Sequence, residues 1–378
     1  MSKYVLVPDS FKGTMSSTQI CSIMEKAILR IDPQAEVISI PVADGGEGSV
    51  DAFLTACGGR KQAVVVTDPF GDPMDCSYGI TGDGTAVIEM AACAGLPLVY
   101  NRRDPSRATT YGVGEMMLHA AQNGCGRIIV CLGGSATNDG GCGAAAAAGV
   151  RFFDYTGKAF VPTGATLSSI ASIDASGLSP VFKEKEILTL CDVDNPLCGE
   201  NGAAQTFAPQ KGANETMVAL LDEGLAHLAR LACAQEEEGL SPAMPSAGAA
   251  GGMGFGMRFF FHSPLRMGID AMLELVGFDR ILRDADVVFT GEGRIDPQSM
   301  HGKTAIGVAR RAKAAGVPAI AMVGDIADGI ETAYDLGVSA IFSINQVAIE
   351  RKLAKLRAPR DLEATMENVV RVICSLRK

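Results

Sequence analysis

Both ends of this 378-residue chain carry the same alternation of an apolar run, a loop and an amphipathic stretch, and this constrains the fold more than any other feature. Residues 4–8 form a short β-branched run. The stretch "SSTQICSIMEKAILRI" follows, with Ser16 or Ser17 as N-cap and apolar residues at helical spacing. "AEVISIPV" is the next apolar run, closed by "ADGGEG", and residues 49–56 read as a second helix. Beyond about residue 277 the rhythm returns as "ADVVFTGEG", a helix over 303–315, "PAIAMVGDI", a helix near 329–335, "SAIFSI" and a terminal helix near 361–376. Strands that alternate with helices pair in parallel, because parallel neighbours need a crossover connection.

Between these ends the texture changes. From about residue 61, short strands are punctuated by "TDPFGDPMD" and "TGDGT", whose Asp, Pro and Gly favour turns and so antiparallel pairing. A helix over 111–122, a buried strand "RIIVCL" and an alanine-rich helix come next, and 150–188 reads as looser chain. The expected fold class is α/β with two domains: a discontinuous Rossmann-like parallel-sheet domain built from both termini (1–65 and 280–378), and an inserted mixed α/β domain (66–279). Length agrees, since single cores stop growing at roughly 250–300 residues.

Composition excludes several functions. A net charge of −10 repels nucleic-acid phosphates and anionic membrane surfaces, so neither is an expected partner. A small anionic substrate is still compatible if its site is locally positive, because screening confines the global field to about 8 Å. Eleven cysteines without a Cys-x-x-Cys pair suggest neither a disulfide framework nor a zinc site, which points to a reducing cytoplasm. No stretch approaches the ~18 apolar residues that span a bilayer.

The glycine-rich stretches narrow the chemistry. "VVFTGEGRIDPQSMHGKT" leads from a strand to Lys303-Thr304 and a helix, but eight residues separate Gly293 from Gly302 where a phosphate-binding loop has four. Backbone N–H groups and Lys303 would still attract phosphate there. "GAAGGMGFG" (248–256) lacks dinucleotide spacing, which argues against a nicotinamide enzyme. In "CLGGSATNDGGCGAAAAAGV" a strand enters a loop, Asn138 or Asp139 can cap the next helix, and the alanines let that helix pack closely. Carboxylates gather at apparent strand ends in five segments: Asp9 beside Lys12, Asp44 with Glu47, Asp192 with Asp194, Glu292 with Asp296, and Asp325. Ligands of open α/β sheets bind outside those ends, so such carboxylates suit Mg²⁺ or general-base work.

Together, "PDSFKG", "PVADGGEGS", "GGSATNDGG", "CDVDNPLCG", "PQKGA", "GAAGGMGFG" and "TGEGRID" strongly resemble the type I glycerate kinases, in that family's order and across most of the chain. Val113 in "YGVGE" stands where the family commonly carries Thr, and Met267 in "LRMGID" where it carries Pro. The resemblance implies a cytoplasmic enzyme that uses ATP and Mg²⁺ to phosphorylate D-glycerate on its 2-hydroxyl. Alternatives are the 3-hydroxyl, a related small hydroxy acid or, in another class, a non-catalytic anion-binding protein. It implies small-molecule partners only and leaves homo-oligomer formation open. Phosphoryl transfer rests on positioning and charge neutralisation. The implied catalytic residues are accordingly Lys12, Arg294 and Asp192, with Asp192 as base and Asp194 or Asp296 as alternatives. Asp9, Ser10, Asp194, Asn195, Glu292 and Asp296 would contact substrate. Ser135, Thr137, Asn138, Asp139, Lys303 and Thr304 would contact the nucleotide, and Asp44 and Glu47 would hold Mg²⁺, with Asp139 as an alternative.

Overall fold

The computed structural model describes residues 2–42, 46, 48–235 and 239–376. The chain divides into two compact units: Met1–Asp44, Thr55–Cys57 and Ile269–Lys378 in the first, Gly45–Leu54 and Gly58–Gly268 in the second.

The first unit is built on a five-stranded sheet in which every pair is parallel. Its strands, in spatial order, are Glu36–Ser39, Lys3–Pro8, Val287–Ile295, Ala319–Ile326 and Val338–Ser343. Numbered along the chain this is 2-1-3-4-5, a doubly wound order whose direction of winding reverses between the strands Lys3–Pro8 and Val287–Ile295. One helix, Ser17–Ile31, starts at a capping box in which Ser16 and Gln19 satisfy each other's backbone amides, a device worth about 1 kcal/mol. Its Ile20, Met24 and Ile28 join Tyr4, Leu6 and Phe289 of the sheet and Leu362 and Met366 of the last helix in one buried cluster. That last helix, Arg351–Leu376, begins ten residues before the expected start and runs through Pro359. A proline commonly interrupts a helix, but losing one N–H donor does not end a helix whose apolar face is buried.

The second unit holds a six-stranded sheet in the order Leu265–Arg266, Glu186–Leu190, Arg127–Cys131, Thr85–Glu89, Pro73–Thr81 and Gly59–Thr67. Its first four strands are parallel and its last two antiparallel, so the fold class is mixed α/β as expected. The helix Tyr111–Gln122 and the strand Arg127–Cys131 fall where the periodicity placed them. The looser chain of 150–188 instead carries a small antiparallel sheet of Ala159–Phe160, Arg151–Asp154 and Ile170–Asp174, beside the strand Glu186–Leu190. Its strands are too short for an alternating pattern to register.

The alanine-rich helix, Cys142–Ala147, packs as its composition implies. A Cβ at Gly114 would lie 2.2 Å from the Ala144 carbonyl oxygen, so the two helices approach more closely than any side chain would allow. The departure Val113 is fully buried in the apolar core of this unit. No helix among the described residues is long and apolar enough to cross a membrane.

Candidate active site

In the first unit the residues of interest collect where the winding reverses, at the carboxyl ends of the two central strands. The Asp9 amide donates to the Gly291 carbonyl at 2.8 Å, which carries the pairing of these strands one residue past Pro8. A tight turn follows, with the Phe11 and Met15 backbones bonded to each other and Gly13 at φ +69°, and it presents Lys12 at an exposed tip. Gly293 lets this turn settle on the strand: a Cβ there would stand 3.4 Å from the Phe11 Cα and 3.6 Å from the Lys12 nitrogen. Alternation along Val287–Ile295 sends Glu292 and Arg294 to the opposite face from Gly293.

Glu292 is 8% exposed. Its Oε2 accepts from Ser299 Oγ at 3.1 Å, while Oε1 is buried with no hydrogen-bond partner. Burial pushes its carboxyl up to about 7, aided by the charges of Asp9 and Asp296 and opposed by the Ser299 hydrogen bond and Lys303. Asp9 is buried, accepts the Ser10 amide at 2.6 Å on Oδ1, and faces Thr304 Oγ1 at 3.5 Å on Oδ2. Lys303 is the N-cap residue of the eleven-residue helix Thr304–Ala314. Asp296 also caps the turn Pro297–His301, accepting the Gln298 and Ser299 amides at 3.0 and 3.2 Å. Eight expected site residues, Asp9, Ser10, Lys12, Glu292, Arg294, Asp296, Lys303 and Thr304, thus share one end of one sheet.

In the second unit the expected residues lie on two loops that leave neighbouring parallel strands at the same end, where Cys131 pairs with Leu190 and the Leu132 amide donates to the Leu190 carbonyl at 2.9 Å. On the first loop, Asp139 is completely buried and accepts the Thr110 amide and hydroxyl at 2.8 and 2.9 Å and the Gly141 and Gly143 amides at 3.1 and 3.2 Å. Burial raises its carboxyl above the ordinary range. Its oxygens therefore organise the loop and the start of Cys142–Ala147. The N-cap of that helix is Gly141 rather than the foreseen Asn138 or Asp139, and Asp139 instead reaches its first turn from two residues upstream through the Gly143 amide. Asn138 is as deeply buried, yet neither its Oδ1 nor its Nδ2 has a partner, and the same holds for Thr137 Oγ1. On the second loop, Asp192 is half-buried with Oδ1 accepting the Gly268 amide at 3.1 Å, Asp194 is exposed, and Asn195 Nδ2 donates to the Asn201 carbonyl at 2.8 Å.

The glycine-rich stretch braces both loops. Gly251, at φ +68°, lies so near the first that a Cβ would fall 2.1 Å from the Thr137 carbonyl oxygen, and the Gly248 amide donates to the Asn195 carbonyl at 3.0 Å in the second. One residue that sequence reasoning left without a role completes this cluster. Lys211, in "PQKGA", is 2% exposed and donates from Nζ to Ser135 Oγ at 2.8 Å and to the Thr137 carbonyl at 2.7 Å. Burial pushes its ammonium down to about 7, against the pull of Asp139. Its place in a quoted motif was the only available signal, since charge alone marks a lysine as a surface residue. The expected Mg²⁺ ligands Asp44 and Glu47 lie outside the described residues. Among the described residues, no group of three or more His, Cys, Asp or Glu side chains could hold a metal ion.

Residues 4–374 match the model of the glycerate kinase family. The chain belongs to that family. It is 43% identical over 372 residues to a glycerate kinase of Bacillus subtilis (strain 168), covering 97% of this chain and 96% of the relative. Identity to a glycerate 2-kinase of Escherichia coli (strain K12) is 42% over 344 residues, 90% of each chain. A crystal structure assigned to glycerate kinase 2 from Salmonella typhimurium LT2 superposes with a TM-score of 0.86 at 39% identity, covering 100% of this chain and 99% of that one. As a glycerate kinase family member the chain is a phosphotransferase with an alcohol group as acceptor, and its substrates are a small molecule and a nucleotide.

Proposed function

We propose that this family member transfers the γ-phosphoryl group of ATP to D-glycerate, on the 2-hydroxyl, giving 2-phosphoglycerate. The observation that carries the reading is the cluster where the sheet of the first unit reverses its winding: Lys12 and Arg294 are exposed at the same sheet end as a buried, partly unpartnered carboxylate, with Lys303 and Thr304 at the start of a helix. Such a cluster offers cations and amide donors to an anionic substrate and a carboxylate to its hydroxyl. The two relatives named above support the substrate, and the one from Escherichia coli the 2-position.

In this reading Arg294 grips the glycerate carboxylate, because a guanidinium matches a carboxylate bidentately, and Lys12 neutralises charge on the transferring group. Asp9 and Ser10 line the same end of the sheet. Lys303 and Thr304 meet phosphate oxygens, as do Ser135, Thr137 and Asn138, the last two with polar atoms that lack a partner within the protein. Asp192, Asp194 and Asn195 contact substrate from the loop that follows Glu186–Leu190. Magnesium enters as the ATP complex: on nucleotide phosphates it needs only one or two protein carboxylates, and the expected pair is Asp44 and Glu47. Lys211 and Asp139 hold the phosphate loop in shape.

Coupled measurement of ADP release with D-glycerate, with and without Mg²⁺, tests the reading, and phosphorus NMR of the product separates the positions. Metal-dependent turnover to 2-phosphoglycerate is expected. Release of ADP only with another hydroxy acid, or a 3-phosphoglycerate signal, would overturn the substrate or the position.

A further inference from the structure

We propose that Glu292 is the general base of the transfer, accepting the proton of the glycerate hydroxyl as that oxygen attacks the γ-phosphorus. The inference rests on the glycerate kinase reading and assigns one of its steps. The new O–P bond forms as the bond from the γ-phosphorus to its bridging oxygen breaks. ADP departs with that electron pair, and the hydroxyl proton moves to the Glu292 carboxylate and later to water.

Three observations single this residue out. It stands at the carboxyl end of the central strand, at the point of reversed winding where doubly wound sheets bind ligands, two positions from Arg294 on the same face. One of its carboxylate oxygens is held by Ser299 Oγ, which fixes the group, while the other is buried without a partner. A carboxylate oxygen in that state lacks a donor, and the substrate hydroxyl is one. The other carboxylates are differently engaged. Asp296 Oδ1 caps its own turn, Asp139 accepts five internal donors, and Asp192 Oδ1 accepts the Gly268 amide, whereas Glu292 alone among these has an oxygen both buried and without a partner.

The electrostatic surroundings suit a base. Among the described residues, the charged groups that act most on Glu292 are Asp9, Asp296 and Lys303, and burial with the two acids outweighs the lysine and the Ser299 hydrogen bond, so that its proton affinity lies near neutrality. A base is most effective when its affinity lies close to the working pH.

The experiment compares wild type, Glu292→Gln, Glu292→Asp and Asp192→Asn as full-length enzymes, measuring kcat and KM for D-glycerate from pH 5.5 to 9. Glu292→Gln is expected to lower kcat by roughly 10²- to 10⁴-fold with KM changed only a few-fold, as for removal of a general base. Wild-type kcat/KM should fall on the acid side of about pH 7, and that fall should vanish in the residual activity of Glu292→Gln. Glu292→Asp, which keeps a carboxylate, should keep the acid fall and recover part of the rate. It also serves as the decisive variant should the glutamine protein fail to fold. The assignment is overturned if Glu292→Gln keeps kcat within about fivefold of wild type, if Glu292→Asp loses the acid fall, or if the fall disappears in Asp192→Asn instead. A wild type that turns over no D-glycerate overturns the function itself, an outcome distinct from an active wild type with an active glutamine variant.

Discussion

Replacing Lys211 by methionine should change how stability depends on pH, in a direction that its burial fixes. Its ammonium falls from the ordinary 10.5 to about 7 because the folded protein removes it from water. Each tenfold loss of proton affinity is worth about 1.4 kcal/mol, so the folded state forfeits on the order of 5 kcal/mol at low pH relative to a lysine left in water. Below pH 7 both folded and unfolded chains carry the proton, and this penalty is constant. Between 7 and 10.5 the folded chain has released the proton while the unfolded chain still binds it, so wild-type stability rises with pH through that window. The rise between pH 7 and pH 9 is about 2 kcal/mol.

Lys211→Met removes the proton and with it the rise. It also strips the Ser135 hydroxyl and the Thr137 carbonyl of a donor, at about 1–3 kcal/mol, but that loss is the same at every pH. Urea unfolding of both proteins at pH 7 and pH 9, followed by circular dichroism, isolates the effect, since groups common to both cancel in the difference. The wild type should gain about 2 kcal/mol on the variant over this interval. A difference that stays constant to within about 0.5 kcal/mol would mean that Lys211 keeps an ordinary proton affinity and that burial does not lower it.

Gly251→Ala should destabilise the protein by about 3 kcal/mol or more, because the alanine would need a left-handed backbone and its Cβ would meet the Thr137 carbonyl oxygen at 2.1 Å. Thermal or urea unfolding checks it. Asp139→Asn exchanges one acceptor oxygen for an NH₂ group facing the donors of Thr110, Gly141 and Gly143, and should cost about 2–4 kcal/mol by the same measurement. Lys12→Met and Arg294→Met lie at exposed positions, so melting temperatures should hold while turnover falls by about a hundredfold or more, which the coupled ADP assay reads.

The parallel sheet of the first unit was legible because its pattern has a strong physical basis: buried parallel strands are continuous apolar runs, and the crossover helices between them have their own period. Its strand order was not legible, since nothing local in Lys3–Pro8 or Val287–Ile295 says that the two are neighbours across nearly the whole chain. Their pairing is what assembles the first cluster, bringing "PDSFKG" beside "TGEGRID". The sequence therefore identified the residue types and the ends of strands, while the order of the sheet brought them to one place.

The limits of the motif reading follow from the same cause. A carboxylate at a strand end reads alike whether it caps a turn, as Asp296 does, organises a loop, as Asp139 does, or keeps an oxygen unpartnered, as Glu292 does. Those roles differ only in what the fold places around each oxygen. Lys211 makes the point from the other sign. A lysine is expected at the surface, and only the packing of "PQKGA" against the loop of Ser135 and Thr137 turns this one into a buried donor. Family motifs therefore say where chemistry gathers, whereas the division of labour among like-charged groups is set by burial and hydrogen bonding. For that reason the pH profile of Glu292→Gln discriminates between candidate bases better than any further comparison of sequences.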